Sequence, residues 1–429
     1  MKRVLAVLGR GARRLAVAER LDRDLPDARI WVWPPAPPSL YPGFSSPAFD
    51  DEDDLARGVA AWAEAAALTG AFVVDERLLF RGVADILAAR GVAVLGASRA
   101  TSRIEADKLW AKERLRDAGV STADSIEVGD VPGLREAGRR LGYPLHLKRA
   151  PSLGAKGVVA VRDPSELEAA WIAIHRRGPK PTRLFAERFV PGTEITVTAV
   201  VSPARIALLP PVEVFPRRTL APDSALTGGM GARTSPAPRL AQDVLEQGLE
   251  PLLHALDRLG TSRYTGALSL NLRGIDDWIA LEVNCHFGDP ETQCMLAAAA
   301  DGLADLLADD WSCRAERELH VADPADSPQT TVVVAHRSYP GGTYEPIAYR
   351  AQDVLALDAS FHPYASAEDA SSIRSTSGRF GSLTGPHPDP PDTRLHEAVE
   401  RVAALHPDLS YRSDILAAVS RGSVTWAAR

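Results

Sequence analysis

Ala280-Leu281-Glu282-Val283-Asn284-Cys285-His286-Phe287-Gly288-Asp289-Pro290-Glu291-Thr292-Gln293 is the stretch whose reading decides the fold. It reads as an apolar strand that runs into a sharp turn. Side chains alternate along a strand, so Glu282 and Asn284 share one face. A carboxylate and a side-chain carbonyl on one face are hard oxygen ligands, and this pair suits Mg²⁺ (or Mn²⁺) held against a nucleotide phosphate. The Gly-Asp-Pro-Glu turn that follows adds two more acids, Asp289 and Glu291.

Upstream, Lys148 ends an expected strand. Pro151-Ser152-Leu153-Gly154-Ala155-Lys156-Gly157 then forms a loop of small residues before the next strand. Backbone N–H groups around Gly154 and Gly157 can lie over phosphates, with Lys148 and Lys156 as point charges. Taken alone, a Gly-Ala-Lys-Gly turn is more often an ordinary exposed hairpin. Further on stands Phe185-Ala186-Glu187-Arg188-Phe189-Val190-Pro191-Gly192-Thr193-Glu194. Here backbone groups suit the edge of a base, apolar side chains suit its ring, and a carboxylate suits two hydroxyls.

The chain has 429 residues, enough for two to four domains. Its 45% hydrophobic and 24% charged content is ordinary for a soluble globular protein. A net charge of -7 gives no support for nucleic-acid binding, and no apolar run approaches the roughly 20 residues that span a bilayer. Cys285, Cys294 and Cys313 are too few and too poorly spaced for a disulfide framework or a zinc knuckle. A reducing cytoplasm fits, and Cys285 reads as a small buried hydrophobe.

The pattern predicts an α/β fold of several units. Residues 1–100 alternate strand and helix, as a parallel sheet requires, with 34–54 read as a surface loop. Residues 101–329 form a second unit. It opens on a helix from Ser102-Arg103-Ile104-Glu105, which has capping-box spacing, to Gly119, and contains a small α+β lid at 125–190. Residues 330–429 form a small β-rich end.

These motifs, in this order, resemble the ATP-grasp ligases, and among them the glycinamide ribonucleotide synthetases. The likeness covers nearly the whole chain. Thr227-Gly228-Gly229-Met230-Gly231-Ala232 and Gly288-Asp289-Pro290-Glu291-Thr292-Gln293 are nearly verbatim for that family. The resemblance implies an N-terminal Rossmann-like domain, a lid, a central ATP-grasp domain and a C-terminal domain. It implies ATP as cosubstrate, small-molecule acid and amine partners, an acyl-phosphate intermediate, and a monomer or homodimer. It further implies adenine recognition by Glu187 and the backbone of Arg188 and Val190, ribose recognition by Glu194, and phosphate contact by Lys108. Catalytic positions fall on Lys148, Arg217 and His286. Substrate contacts fall on Arg13, Val214, Phe215, Leu226, Thr227, Gly228, Gly229, Met230, Asp289 and Glu291.

The departures lie at the acid and amine sites. The family's Arg after Glu-x-Asn-x is His286, expected to be mostly neutral at pH 7. Its Asp-His-Lys-Arg becomes Val214-Phe215-Pro216-Arg217, and its Pro-Asn becomes Ala225-Leu226. The first loop reads Gly9-Arg10-Gly11-Ala12-Arg13-Arg14, where the arginines near a helix N-terminus favour an anion. Gly-Pro-Glu is replaced by Asp75-Glu76-Arg77. A diverged paralogue with a different acid and amine is therefore expected, possible in specialised metabolism, with an orthodox glycinamide ribonucleotide synthetase as the alternative. Two further readings stand: a dinucleotide-binding oxidoreductase, resting on Gly9-x-Gly11 without its third glycine, and an inactive ATP-binding module, opposed by Lys148, Glu282 and Asn284.

Overall fold

The computed structural model describes residues 3–150, 157–176, 183–221, 224–235, 238–259, 263–274, 277–299, 303–308, 315–321, 328–369, 372–387 and 393–417. Gly154, Lys156 and Cys313 lie outside them. Near the N-terminus, four parallel strands stand in the order Arg29–Trp33, Val4–Leu8, Gly70–Val73, Ala93–Leu95. The first of these in the chain reads Val-Leu-Ala-Val-Leu without alternation because a parallel sheet is covered on both faces. The acids expected in a surface loop instead begin a helix, Glu52–Ala65. Asp51 caps it, accepting from the Asp54 N–H. Glu52, Asp53 and Asp54 thus sit where the helix dipole favours negative charge.

The lid region is a four-stranded antiparallel sheet in the order Ser125–Val128, Arg183–Arg188, Leu145–Ala150, Val158–Val161. Helices Val131–Leu141 and Leu167–Arg176 cover it, and Leu134, Leu147, Leu167 and Ile174 fill the space between.

The largest sheet runs Ile279–Asn284, Gly266–Arg273, Glu194–Val201, Val212–Val214, Gly231–Thr234, Gln329–His336, Arg379–Pro386, Ser360–Pro363. It continues through position 330, so the β-rich end is hydrogen-bonded onto the central unit. Helix Arg13–Asp24 clamps helix Glu291–Ala298 through Arg20. This guanidinium is 2% exposed and donates to the Leu296 and Ala299 carbonyls at 3.1 and 2.8 Å. A buried cation at a helix C-terminus satisfies carbonyls that lack an intrahelical partner. No helix among the described residues is long and apolar enough to cross a membrane.

The helix expected from Ser102 to Gly119 is broken. A single turn, Arg103–Ala106, ends at Asp107, whose extended backbone starts the helix Lys108–Asp117. Ser102 makes no capping bond, and Asp107 is the cap, accepting from the Trp110 N–H at 3.1 Å. The break releases Glu105 from a capping role. Asp107→Ala is expected to cost about 1 kcal/mol in denaturant unfolding, the usual loss for an N-cap acid.

Candidate active site

A cleft of about 870 Å³ lies between the lid region, the central sheet and the loops that follow the N-terminal strands. Lys108, Lys148, Glu187, Arg188, Val190, Glu194, Glu282, Asn284, His286, Arg13, Val214, Arg217, Leu226, Thr227, Gly228, Gly229, Asp289 and Glu291 all line it. Three described residues expected there do not. Phe215 follows Val214 at the end of a strand, so alternation sends it to the other side. It packs into the C-terminal core with the Arg233 and Arg412 guanidiniums 5.4 and 5.3 Å from its ring. Met230 is fully buried in the same core. Gly157 is buried, and its carbonyl accepts from the Arg149 N–H at 3.1 Å.

At one end of the cleft, the alternation of Ile279–Asn284 brings Glu282 and Asn284 to the same wall. Asn271 pairs across the sheet with Glu282, and its Oδ1 accepts from Asn284 Nδ2 at 3.3 Å. The Lys108 ammonium is paired with the Glu282 carboxylate. That lysine holds the acid below its ordinary pKa, against the opposing effect of burial. Asn271 was missed in the sequence, although Ser269, Asn271 and Arg273 recur at every second position of an apolar strand.

Glu187 is 1% exposed and lies between two lysines. Lys148 pairs with one carboxylate oxygen, and Lys112 reaches the other at 2.7 Å. Burial would push the acid up, but the lysines outweigh it and bring its pKa down to about 2. Lys112 was also missed, and its signal was helical spacing: it stands four residues after Lys108. Glu194 lies 3.5 Å from the Arg273 guanidinium, which also donates to the Val190 carbonyl, and burial raises its pKa. A carboxylate thus faces the cleft beside a hinge backbone held from behind.

At the other end His286 stands between two acids. Its Nδ1 lies 2.7 Å from Glu105 Oε2 and its Nε2 3.7 Å from Glu76 Oε2. Burial disfavours its charge, but Glu105 and Glu76 outweigh burial and the nearby Arg13, so its pKa is raised. Arg13 closes the network, 3.1 Å from Glu76 and donating to the Phe287 carbonyl at 2.8 Å. Glu76, Glu105 and His286 bring three ligand atoms within 4.8 Å of one another, but the Arg13 guanidinium already supplies a cation to this group. Arg217 donates to the Ser224 carbonyl at 2.8 Å. Arg379 had no signal in the sequence. The sheet carries it in from the C-terminal end, where it bonds the Gly228 and Asp289 carbonyls at 2.6 and 2.8 Å. Cys285 is buried as expected, and burial raises its thiol pKa.

Residues 106–292 match the family described as phosphoribosylglycinamide synthetase, ATP-grasp (A) domain. Along 431 residues the chain is 32% identical to the phosphoribosylamine–glycine ligase of Streptomyces coelicolor, covering 96% of this chain and 98% of that one. The chain belongs to the phosphoribosylamine–glycine ligase family. It is 31% identical to the Mycobacterium tuberculosis enzyme of that name over 443 residues, 98% of this chain and 99% of that one. The crystal structure of the Thermotoga maritima phosphoribosylamine–glycine ligase shares the fold at TM-score 0.75 and 20% identity, covering 96% of this chain and 99% of that one. Biotin carboxylase from Campylobacter jejuni shares it at TM-score 0.68 and 14% identity, covering 96% and 92%. As a family member the protein is an ADP-forming ATP-grasp ligase that joins a carboxylate to an amine.

Two outcomes follow from the buried charges. Lys112→Met leaves Glu187 with one lysine, and unfolding is expected to cost about 3 kcal/mol less, because half of a buried pair is removed. Glu291 lines the cleft, and burial raises its pKa from the ordinary 4.5 to about 7. Its folded form therefore holds a proton that the unfolded form has lost, so stability falls as pH rises from about 4.5 through 7. Glu291→Gln is expected to flatten that part of the stability–pH curve, measured by urea unfolding.

Proposed function

We propose that this ligase joins an acid and an amine other than glycine and phosphoribosylamine, using ATP and Mg²⁺ (or Mn²⁺). The observation that carries the reading is His286, held between Glu105 and Glu76 where the family it resembles carries an arginine. A guanidinium there is a fork for a free carboxylate or phosphate. A histidine whose two nitrogens face two acids is not. Val214 and Leu226 on the cleft wall add apolar surface, which suits a bulkier or less charged substrate.

The donors at the Glu282 wall are all oxygen: Glu282, Asn284 and Asn271. This set fits a hard divalent cation shared with phosphates, which when bound supplies positive charge against the phosphate oxygens. Glu187 and the backbone at Arg188 and Val190 are the adenine contacts in this reading, and Glu194 the ribose contact. Lys108, Lys148 and Lys156, with the backbone at Gly154, are the phosphate contacts in this reading. Lys108 and Lys148 are paired with Glu282 and Glu187, which orients the positive charge for phosphates. The carboxylate of the acid takes the γ-phosphoryl group as ADP leaves. The amine then attacks the acyl carbon, and phosphate and a proton are released. Arg217 and Arg379, both on the cleft wall, are the cations for that phosphate in this reading, and Glu291 the acceptor of the proton. The home pathway in this reading is specialised metabolite synthesis in the cytoplasm, by a monomer or homodimer acting on small molecules.

The alternative, an orthodox phosphoribosylamine–glycine ligase of purine synthesis, is favoured by identity to enzymes of that name along nearly the whole chain. The two readings separate in one assay. The protein is given ATP and Mg²⁺ with a panel of acids and hydroxylamine as a generic nucleophile, and ADP and hydroxamate are measured. An acid other than glycine is expected to give both products, whereas robust ADP release with glycine plus phosphoribosylamine sinks the proposal. Glu282→Ala is expected to lower turnover on any accepted acid by a factor on the order of 10³, the loss usual for removing charge stabilisation at a transferring phosphoryl group.

A further inference from the structure

The loop Gly9–Ala12 joins the first strand to helix Arg13–Asp24, a geometry that elsewhere offers backbone N–H groups and a helix dipole to an anion. In this chain the loop is already served from inside. The Arg10 N–H donates to Asp75 Oδ2 at 2.9 Å, and the Ala12 N–H donates to Asp289 Oδ2 at 2.9 Å. The Gly9 N–H is bonded to the Trp33 carbonyl at 2.9 Å. The two glycines exist to admit these carboxylates. A Cβ on Gly9 would stand 2.7 Å from the Asp75 Cβ, and one on Gly11 would collide with Asp289 Oδ2.

The arginines of the loop are committed as well. Arg10 pairs with Glu52 at 2.9 Å, Arg13 with Glu76 at 3.1 Å, and the buried Arg14 donates to the Gly11 and Pro34 carbonyls at 2.6 and 3.2 Å. Asp75 is fully buried. It caps the helix Glu76–Phe80, is forked by Arg77 at 3.2 and 3.0 Å, and lies 3.6 Å from Arg13. Burial opposes its charge, but Arg13 and Arg77 outweigh burial and hold the acid well below the ordinary carboxylate range. The expected anion site is therefore occupied by a carboxylate of the protein.

We infer that Asp75 acts as an internal plug of the anion cradle at Gly9–Ala12, and that the amine substrate taken at this end of the cleft carries no phosphate. A phosphate brought to the loop would meet the Asp75 carboxylate at close range, with the Arg10 and Ala12 N–H groups already bonded to acids of the protein. The wall left to the substrate holds Phe80 with Glu76 and Glu105, and the arginines beside them, Arg10, Arg13 and Arg77, are each paired with an acid, which suits an unphosphorylated amine with an apolar body. This inference rests on the proposal that the acceptor is not phosphoribosylamine, and narrows it.

The test titrates ribose 5-phosphate into the full chain saturated with Mg-ADP, by calorimetry. Retained ADP binding shows that each variant is folded. Wild type is expected to bind the probe at least roughly tenfold more weakly than Asp75→Asn, which keeps the capping oxygen and removes the charge. Asp75→Ser is the second variant should the first not fold. Equal tight binding by wild type and variant overturns the inference, and so does no binding by either, because Asp75 then excludes nothing. Should neither variant fold, wild type decides alone: tight binding of the probe overturns the inference, and weak or no binding supports it. Tight probe binding by wild type without turnover of phosphoribosylamine removes this inference and leaves the proposed reaction standing.

Discussion

The carboxylate of Asp289 is the constraint on which the cleft depends. It is 8% exposed and accepts from the Ala12 N–H, from Gln293 Nε2 at 2.7 Å and from the Tyr364 hydroxyl at 3.0 Å, with Arg379 at 3.9 Å. A buried carboxylate is tolerated only when its oxygens are bonded. Here the bonds come from the first glycine loop, the helix after the Gly-Asp-Pro-Glu turn, and Tyr364 just beyond the strand Ser360–Pro363. One acid thus fixes where the N-terminal sheet, the central sheet and the β-rich end meet. The cleft is the space left beside that junction.

The two ends of the cleft are built on different electrostatic plans. At the Glu282 end two acids face lysines, Glu282 with Lys108 and Glu187 with Lys148 and Lys112, and Glu194 faces Arg273. Such pairs hold the cations in place, and Lys108 and Lys148 stand on the cleft wall. At the His286 end the charges close on one another. Glu76 and Glu105 engage Arg13 and His286, while Asp75 engages Arg77 and the Arg10 N–H. A closed network has fewer unpaired charges to offer an additional anion than the lysine-lined end has.

Much of the fold was legible. The unbroken apolar runs at Val4–Leu8 and Gly70–Val73 reported a parallel sheet, and the period-two polar pair Glu282 and Asn284 reported one wall of the cleft. Errors came where a local pattern has two physical outcomes. Acids at 50–54 read as loop because periodicity alone does not show a capped helix start. Ser102 with Glu105 matched a capping box, but Glu105 was taken by Cys285 and His286, and Asp107 supplied the cap. Phe215 and Met230 were placed in the cleft by neighbourhood in sequence, whereas strand alternation and the C-terminal core draw them away.

What the sequence by itself determined is the set of elements, the family and the gathering of nucleotide-type residues, because these depend on periodicity and on motifs a few residues long. Only the tertiary structure decided which charges are free. Arg10, Arg13 and Arg14 are cations near a helix N-terminus in the sequence. In the fold they are committed to Glu52, to Glu76 and the Phe287 carbonyl, and to the carbonyls of Gly11 and Pro34. His286 is near-neutral by its ordinary pKa and is pushed toward charge by two acids that lie 210 and 181 positions before it. The physical reason is that a charge acts through space and through its burial, and neither is written in the order of residues.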